Sequence, residues 1–163
     1  MEGKHISSID FERKDDKKYL IKINTSRTGM IIGKDGDGVE RLLKKIRRVL
    51  KKNNLEIPSD IKIQVEEVRV PEADAGIVAA IVKEGLEKRL PFRRVMKSAL
   101  EKSMAAKEVK GVKISLSGAL GGATMARREF VKKGRIPLST FRADIDYAQA
   151  RANLPLGVIG IKV

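Results

Sequence analysis

The sequence predicts an α+β protein made of two small domains, and three observations carry that prediction. Runs that alternate apolar and polar residues, the period of half-buried strands, recur in both halves of the chain. Between them lie stretches whose apolar residues fall three and four apart, the period of helices buried by one face. At Pro71-Glu72-Ala73-Asp74 a helix-start pattern falls between two such groups, dividing the chain into residues 1–70 and 71–163. With 163 residues, 42% of them apolar, there is material for two modest cores.

In the first half, Ile9 and Phe11 alternate with polar residues, and so do Tyr19, Ile21 and Ile23. The charged turn Lys14-Asp15-Asp16-Lys17 separates them, which predicts a β-hairpin with one buried face that includes Phe11 and Tyr19. Next comes Gly29-Met30-Ile31-Ile32-Gly33-Lys34-Asp35-Gly36. Here Gly33 and Gly36 allow a tight turn between two helical segments and leave the backbone bare for another polymer to approach. A helix from about Asp37 to Lys52 follows, with Val39, Leu42, Leu43, Ile46, Val49 and Leu50 at helical spacing. Asp37 and Glu40 at its start, and Lys51 and Lys52 at its end, complement the helix dipole. Asn53-Asn54 and Pro58 end it, and Ile61, Ile63 and Val65 alternate in a strand reaching about Val70.

In the second half, Ile77, Val78, Ile81, Val82 and Leu86 share a helix face, Leu90-Pro91 breaks that helix, and a second runs from Pro91 to about Ala106. Val112, Ile114 and Leu116 alternate in a strand ending at Gly118. From Ala119 to Gly134 neither period fits cleanly, because Met125, Ala126, Phe130 and Val131 suit both poorly. Strand patterns return at Ala143–Tyr147 and Val158–Val163.

Charge narrows the function. The net charge is +14 and the pI about 10.1, with excesses of five in residues 1–70 and nine in 71–163, so an anionic partner is expected, most simply nucleic acid. Arg89, Arg93 and Lys97 fall at i, i+4 and i+8 around the break at Pro91, with Lys88 and Arg94 beside them. Such a stripe suits a regularly charged backbone, although charge runs also serve as solvated helix faces. Arg127, Arg128, Lys132, Lys133 and Arg135 form a second run, joined by Arg142 and Arg151 if the sheet brings them near. Gly33, Lys34, Asp35 and Gly36 form the third candidate, a loop whose Asp35 would repel phosphate if it pointed inward. With four Phe, two Tyr and no Trp, recognition should favour backbone and shape over stacked bases.

Catalysis has little support. His5 is the single histidine and there is no cysteine, so no histidine-based triad, thiolate zinc site or disulfide can be built, and no cofactor is expected. Asp144 and Asp146 would share a strand face and could hold magnesium in a nuclease, or pair with Arg142. No apolar run approaches the length of a membrane span, so a soluble, intracellular protein without membrane contact is expected.

The strand–GMIIGKDG–helix segment resembles a type II KH domain, in which a GxxG loop clamps about four nucleotides of backbone. The segments VRVPEADAGIVAAIVKEGLEKRLPFRRVMKSAL, KGVKISLSGALGGATMARREFVKKGRIPLSTFRADIDYAQA and GVIGIKV resemble the family of the third protein of the small ribosomal subunit, bacterial or organellar type. The resemblance runs from about Ile6 to Val163. It implies a type II KH domain, here without the N-terminal helix usual in the family, followed by a C-terminal domain with two helices on a mixed or antiparallel sheet. It implies a structural, RNA-binding component of the subunit head, on a cytoplasmic or organellar ribosome. Its partners would be small-subunit rRNA, neighbouring head proteins and mRNA, which it would meet where mRNA enters. The family's Arg-Arg-x-x-Lys cluster, which assists mRNA unwinding, matches Arg93, Arg94 and Lys97. Ala119 stands where the family usually has Arg, Phe130 where it usually has Trp, and loss of the N-terminal helix would bare apolar surface on the KH sheet. A free KH-type RNA regulator or chaperone is the alternative, against which the specific C-terminal half argues.

Overall fold

A computed structural model of the chain describes residues 5–15, 18–53 and 60–163. The chain divides into two units, Met1–Arg69 and Val70–Val163, each enclosing its own apolar core.

The first unit runs β1 (Ile6–Asp15), β2 (Lys18–Thr25), α1 (Thr28–Ile32), α2 (Asp37–Lys52) and β3 (Asp60–Glu67). The sheet order is β1-β2-β3, with β1 antiparallel and β3 parallel to the central β2. A parallel neighbour cannot be reached by a hairpin, so the chain crosses over, and α1 and α2 make that crossing. Register pairs Tyr19 with Ile61, Ile21 with Ile63 and Ile23 with Val65, which gathers the apolar side chains on one face. Ile21, Ile23 and Ile61 are buried there with Ile31 of α1, and Leu42, Leu43, Ile46 and Leu50 of α2 pack against them. The opposite face is polar apart from the buried Leu20, with Lys22 bonded to Glu12 at 2.5 Å and Asn24 bonded to Ser8 and Asp10.

The hairpin face is only partly buried, contrary to the alternation. Ile9 and Phe11 pair with Ile23 and Ile21 and so share the apolar face, yet they are 42% and 73% exposed. They stand on the edge strand, outside the cluster that the helices close, while Tyr19 is half-buried. Strand β3 stops at Glu67, short of Val70. Residues 16 and 17 of the expected turn, and Asn54 and Pro58 beyond α2, lie outside the described residues.

The second unit runs α3 (Ala75–Glu87), α4 (Phe92–Ala105), β4 (Gly111–Gly118), β5 (Arg127–Gly134), β6 (Gln149–Leu154) and β7 (Gly157–Lys162). Its sheet has the order β5-β4-β7-β6, and every pairing is antiparallel. Ile114, Leu116, Ile159 and Ile161 turn to one face and are buried against Val82, Leu86, Met96 and Leu100 of the two helices. The ambiguous stretch after Gly118 resolves into a single 3₁₀ turn at Leu120–Gly122, with Leu120 buried, followed by β5.

The strand expected at Ala143–Tyr147 does not form, and the segment is irregular. One reason is visible at Asp146, whose carboxylate accepts a hydrogen bond from the backbone N–H of Ala75 at 2.7 Å. The side chain of Asp74 accepts from Ile77 N at 2.9 Å, so two carboxylates cap the positive end of α3. Asp144 and Asp146 therefore share no strand face, and the magnesium site that a shared face would have allowed is not built. The edge strand is β6 instead, whose inward residues Ala150 and Ala152 are too small to stand out as a hydrophobic alternation. Among the described residues, no helix is long and apolar enough to cross a membrane.

Candidate nucleic-acid interface

The first candidate surface is the loop between α1 and α2. Gly33 has φ 74° and ψ −176°, a conformation open essentially to glycine alone, and Gly36 has φ 85°. A third glycine, Gly38, lets α2 start directly over α1, since a Cβ there would fall onto the carbonyl oxygens of Ile31 and Ile32. The result is a cleft of about 440 Å³ lined by Met30, Gly33, Lys34, Gly38, Leu42 and Lys45, with the Asp37–Arg41 ion pair (3.2 Å) at its side. Arg41 and Lys45 are cations that the sequence motif did not single out, because they lie about one and two turns into α2. Asp35 adopts φ 52° in the turn and does not line the cleft, so the repulsion expected of an inward Asp35 does not arise there.

The second surface is the elbow between α3 and α4. Lys88 closes α3 and is bonded to Glu84 at 2.7 Å, and Arg89 takes a left-handed φ of 60° that turns the chain toward Pro91. Arg93, Arg94 and Lys97 then leave α4 on its exposed side, while Val95, Met96, Ala99 and Leu100 are buried. Arg93 reaches Glu129 of β5 (3.4 Å) and lies 5.5 Å from the Phe92 ring centre. Arg127 shares the same carboxylate (3.1 Å) and the same ring (5.8 Å). One carboxylate is thus divided between two guanidiniums, and among the described residues Arg94 and Lys97 have no carboxylate partner.

The second basic run is not one patch. Alternation along β5 sends Arg127 and Lys133 toward the helical side of the sheet and Arg128 and Lys132 to the other. Arg151 joins Arg128 and Lys132, because Arg151 pairs with Gly160 and Gly160 with Ser117, which pairs with Arg128. Arg135 follows the end of β5, and Arg142 lies in the irregular segment; both are exposed.

Comparison with known proteins accounts for both units. Residues 1–73 match the KH domain, and residues 82–163 match the ribosomal protein S3 C-terminal domain. Small ribosomal subunit protein uS3c of Rhodomonas salina is 41% identical over 158 residues, covering 97% of this chain and 69% of that protein. Small ribosomal subunit protein uS3 of Coxiella burnetii is 45% identical over 163 residues, 100% of this chain and 68% of that protein. The protein of the same name from Alkaliphilus oremlandii is 44% identical over 158 residues, 97% and 63%. These relatives are ribosomal structural proteins and not enzymes, which removes the nuclease reading of Asp144 and Asp146. A KH unit followed by the S3 C-terminal unit, matched along the whole length, places the chain in the uS3 family of small ribosomal subunit proteins, structural constituents of the ribosome that bind its RNA.

Proposed function

We propose that this chain sits in the head of the small subunit, beside neighbouring head proteins, and lines the channel through which mRNA enters. Arg93, Arg94 and Lys97 grip the incoming mRNA by its backbone and assist the opening of its helices. The observation that carries this reading is the exposed side of α4, where three cations stand within two turns and no acidic residue occupies the first turn. Cations that bind phosphate hold separated strands without reading their sequence, which is what a passage used by every message requires. Lys88 and Arg89 extend the stripe across the elbow, and Arg127 beside Arg93 widens it. Gly33, Lys34 and Gly36, with Arg41 and Lys45, offer rRNA a second hold at the KH cleft.

The test uses subunits carrying the triple variant Arg93→Ala, Arg94→Ala, Lys97→Ala. Translation of a message with a stable hairpin downstream should slow, while an unstructured message is read at the parent rate. In solution the triple variant should bind RNA with a salt dependence lower by about 0.7 per lost phosphate contact. Equal rates on both messages, with an unchanged salt slope, would remove α4 from the path of the mRNA. Sedimentation of the chain away from small subunits would instead favour a free RNA regulator.

A further inference from the structure

The four-stranded sheet of the second unit has one face covered by α3 and α4 and one face that no element of that unit covers. The register identifies what stands on the uncovered side. Lys113 pairs with Lys132, Ser115 with both Phe130 and Lys162, and Ser117 with Arg128 and Gly160, and Gly160 in turn with Arg151. Partners in register point to the same side, so Lys113, Arg128, Lys132, Arg151 and Lys162 all project from this face. They come from all four strands, and no Asp or Glu projects from the face among the described residues, because Glu129 points to the helical side. Arg128 is held against the sheet by its Nε–H bond to Ser115 Oγ at 3.1 Å. On the edge strand β5, between Arg128 and Lys132, lies Phe130, an aromatic ring left 56% exposed, with the Lys113 ammonium 5.4 Å from its centre.

The geometry points to this open face as a further RNA-binding surface, on which the five cations hold the backbone of a single strand and Phe130 stacks against a base. The inference rests on the chain being an RNA binder, as proposed above, but uses none of the α4 residues. Charge complementarity selects the occupant: five cations with no carboxylate repel a basic surface and attract a polyanion. Along β5, Arg128 and Lys132 each stand two residues, about 7 Å, from Phe130, so a base stacked on the ring lies between two cations. An exposed ring among those cations is a sequence-tolerant platform for a base, whereas a phosphate site alone has no use for it. Composition argued for backbone recognition over stacking because aromatic residues are few, and a single well-placed ring is what composition does not reveal.

The chain tests this directly, because it has no tryptophan in its 163 residues. Phe130→Trp places the one indole at the site, and a short oligouridylate should quench its fluorescence saturably. Adding Arg151→Gln and Lys162→Gln should weaken that quenching and lower the slope of log Kd against log salt by about 1.4, for two phosphate contacts on a single strand. An unquenched indole, or a slope that stays put in the double variant, would overturn the proposal. The α4 triple variant run in parallel separates the two ideas. A silent sheet variant beside a weakened α4 variant sinks only the sheet surface, and the reverse outcome sinks only the α4 reading. The substituted positions are exposed, and an unchanged circular dichroism spectrum would show that the fold is retained.

Discussion

Glu129 sets how strongly the elbow can attract a phosphate. Its side chain is 25% exposed and accepts from Arg93 and Arg127, the two guanidiniums beside the Phe92 ring. A phosphate arriving there competes with this carboxylate for the same donors. Glu129→Gln removes one negative charge and keeps the shape, so the variant should bind a short RNA more tightly and with a steeper salt dependence, by up to about one unit of slope. Stability should change by less than about 1 kcal/mol, since exposed ion pairs contribute little. Weaker RNA binding by the variant would mean that Glu129 is needed to position Arg93, so that order outweighs repulsion. Fluorescence anisotropy at several salt concentrations distinguishes the two.

At the scale of elements, the two carboxylates on α3 connect distant parts of the second unit. Asp74 is the local cap, while Asp146, 71 residues beyond Ala75, accepts from the N–H of Ala75, the first of the helix. Asp146→Ala removes that acceptor and should cost about 1 kcal/mol, read as a lower midpoint in urea, while Asp74→Ala should cost a similar amount. A change near zero for Asp146→Ala would mean that water replaces it at the helix end. The same residue illustrates what was legible beforehand. Helix α2 and the strands with Ile or Val at alternate positions followed from their own periodicity, as did the glycine turn before α2. The caps on α3 required a long-range contact, and β6 was hidden by Ala150 and Ala152, whose small side chains bury without marking a period. Ile9 and Phe11 misled for the converse reason, since alternation identifies a shared face but not whether a helix lies over it. The basic residues stand exposed, and only the strand register could divide Arg127 from Arg128.

Over the whole molecule, two separate cores predict two unfolding events. Among the described residues, the first unit buries four at the centre of its cluster, and the second buries thirteen. Burial supplies most of the stability of a small domain, and the fraction of surface buried rises with size, so the first unit should melt at the lower temperature. Gly38→Ala identifies that transition. Alanine in an exposed helix is normally favoured over glycine by about 1 kcal/mol, but here the added Cβ meets the Ile31 and Ile32 carbonyls and the strain should outweigh the gain. Only the lower transition should therefore fall. RNA then reports which unit holds it, because a ligand stabilises the folded unit to which it binds. At a hundredfold excess over Kd the stabilisation is about 2.7 kcal/mol, which for a unit of this size corresponds to a rise on the order of 10 °C. With the α4 cations and the open sheet face both in the second unit, a short oligouridylate should raise the upper transition by that amount and the lower one by less. A larger rise in the lower transition would move the principal contact to the KH cleft of Lys34, Arg41 and Lys45.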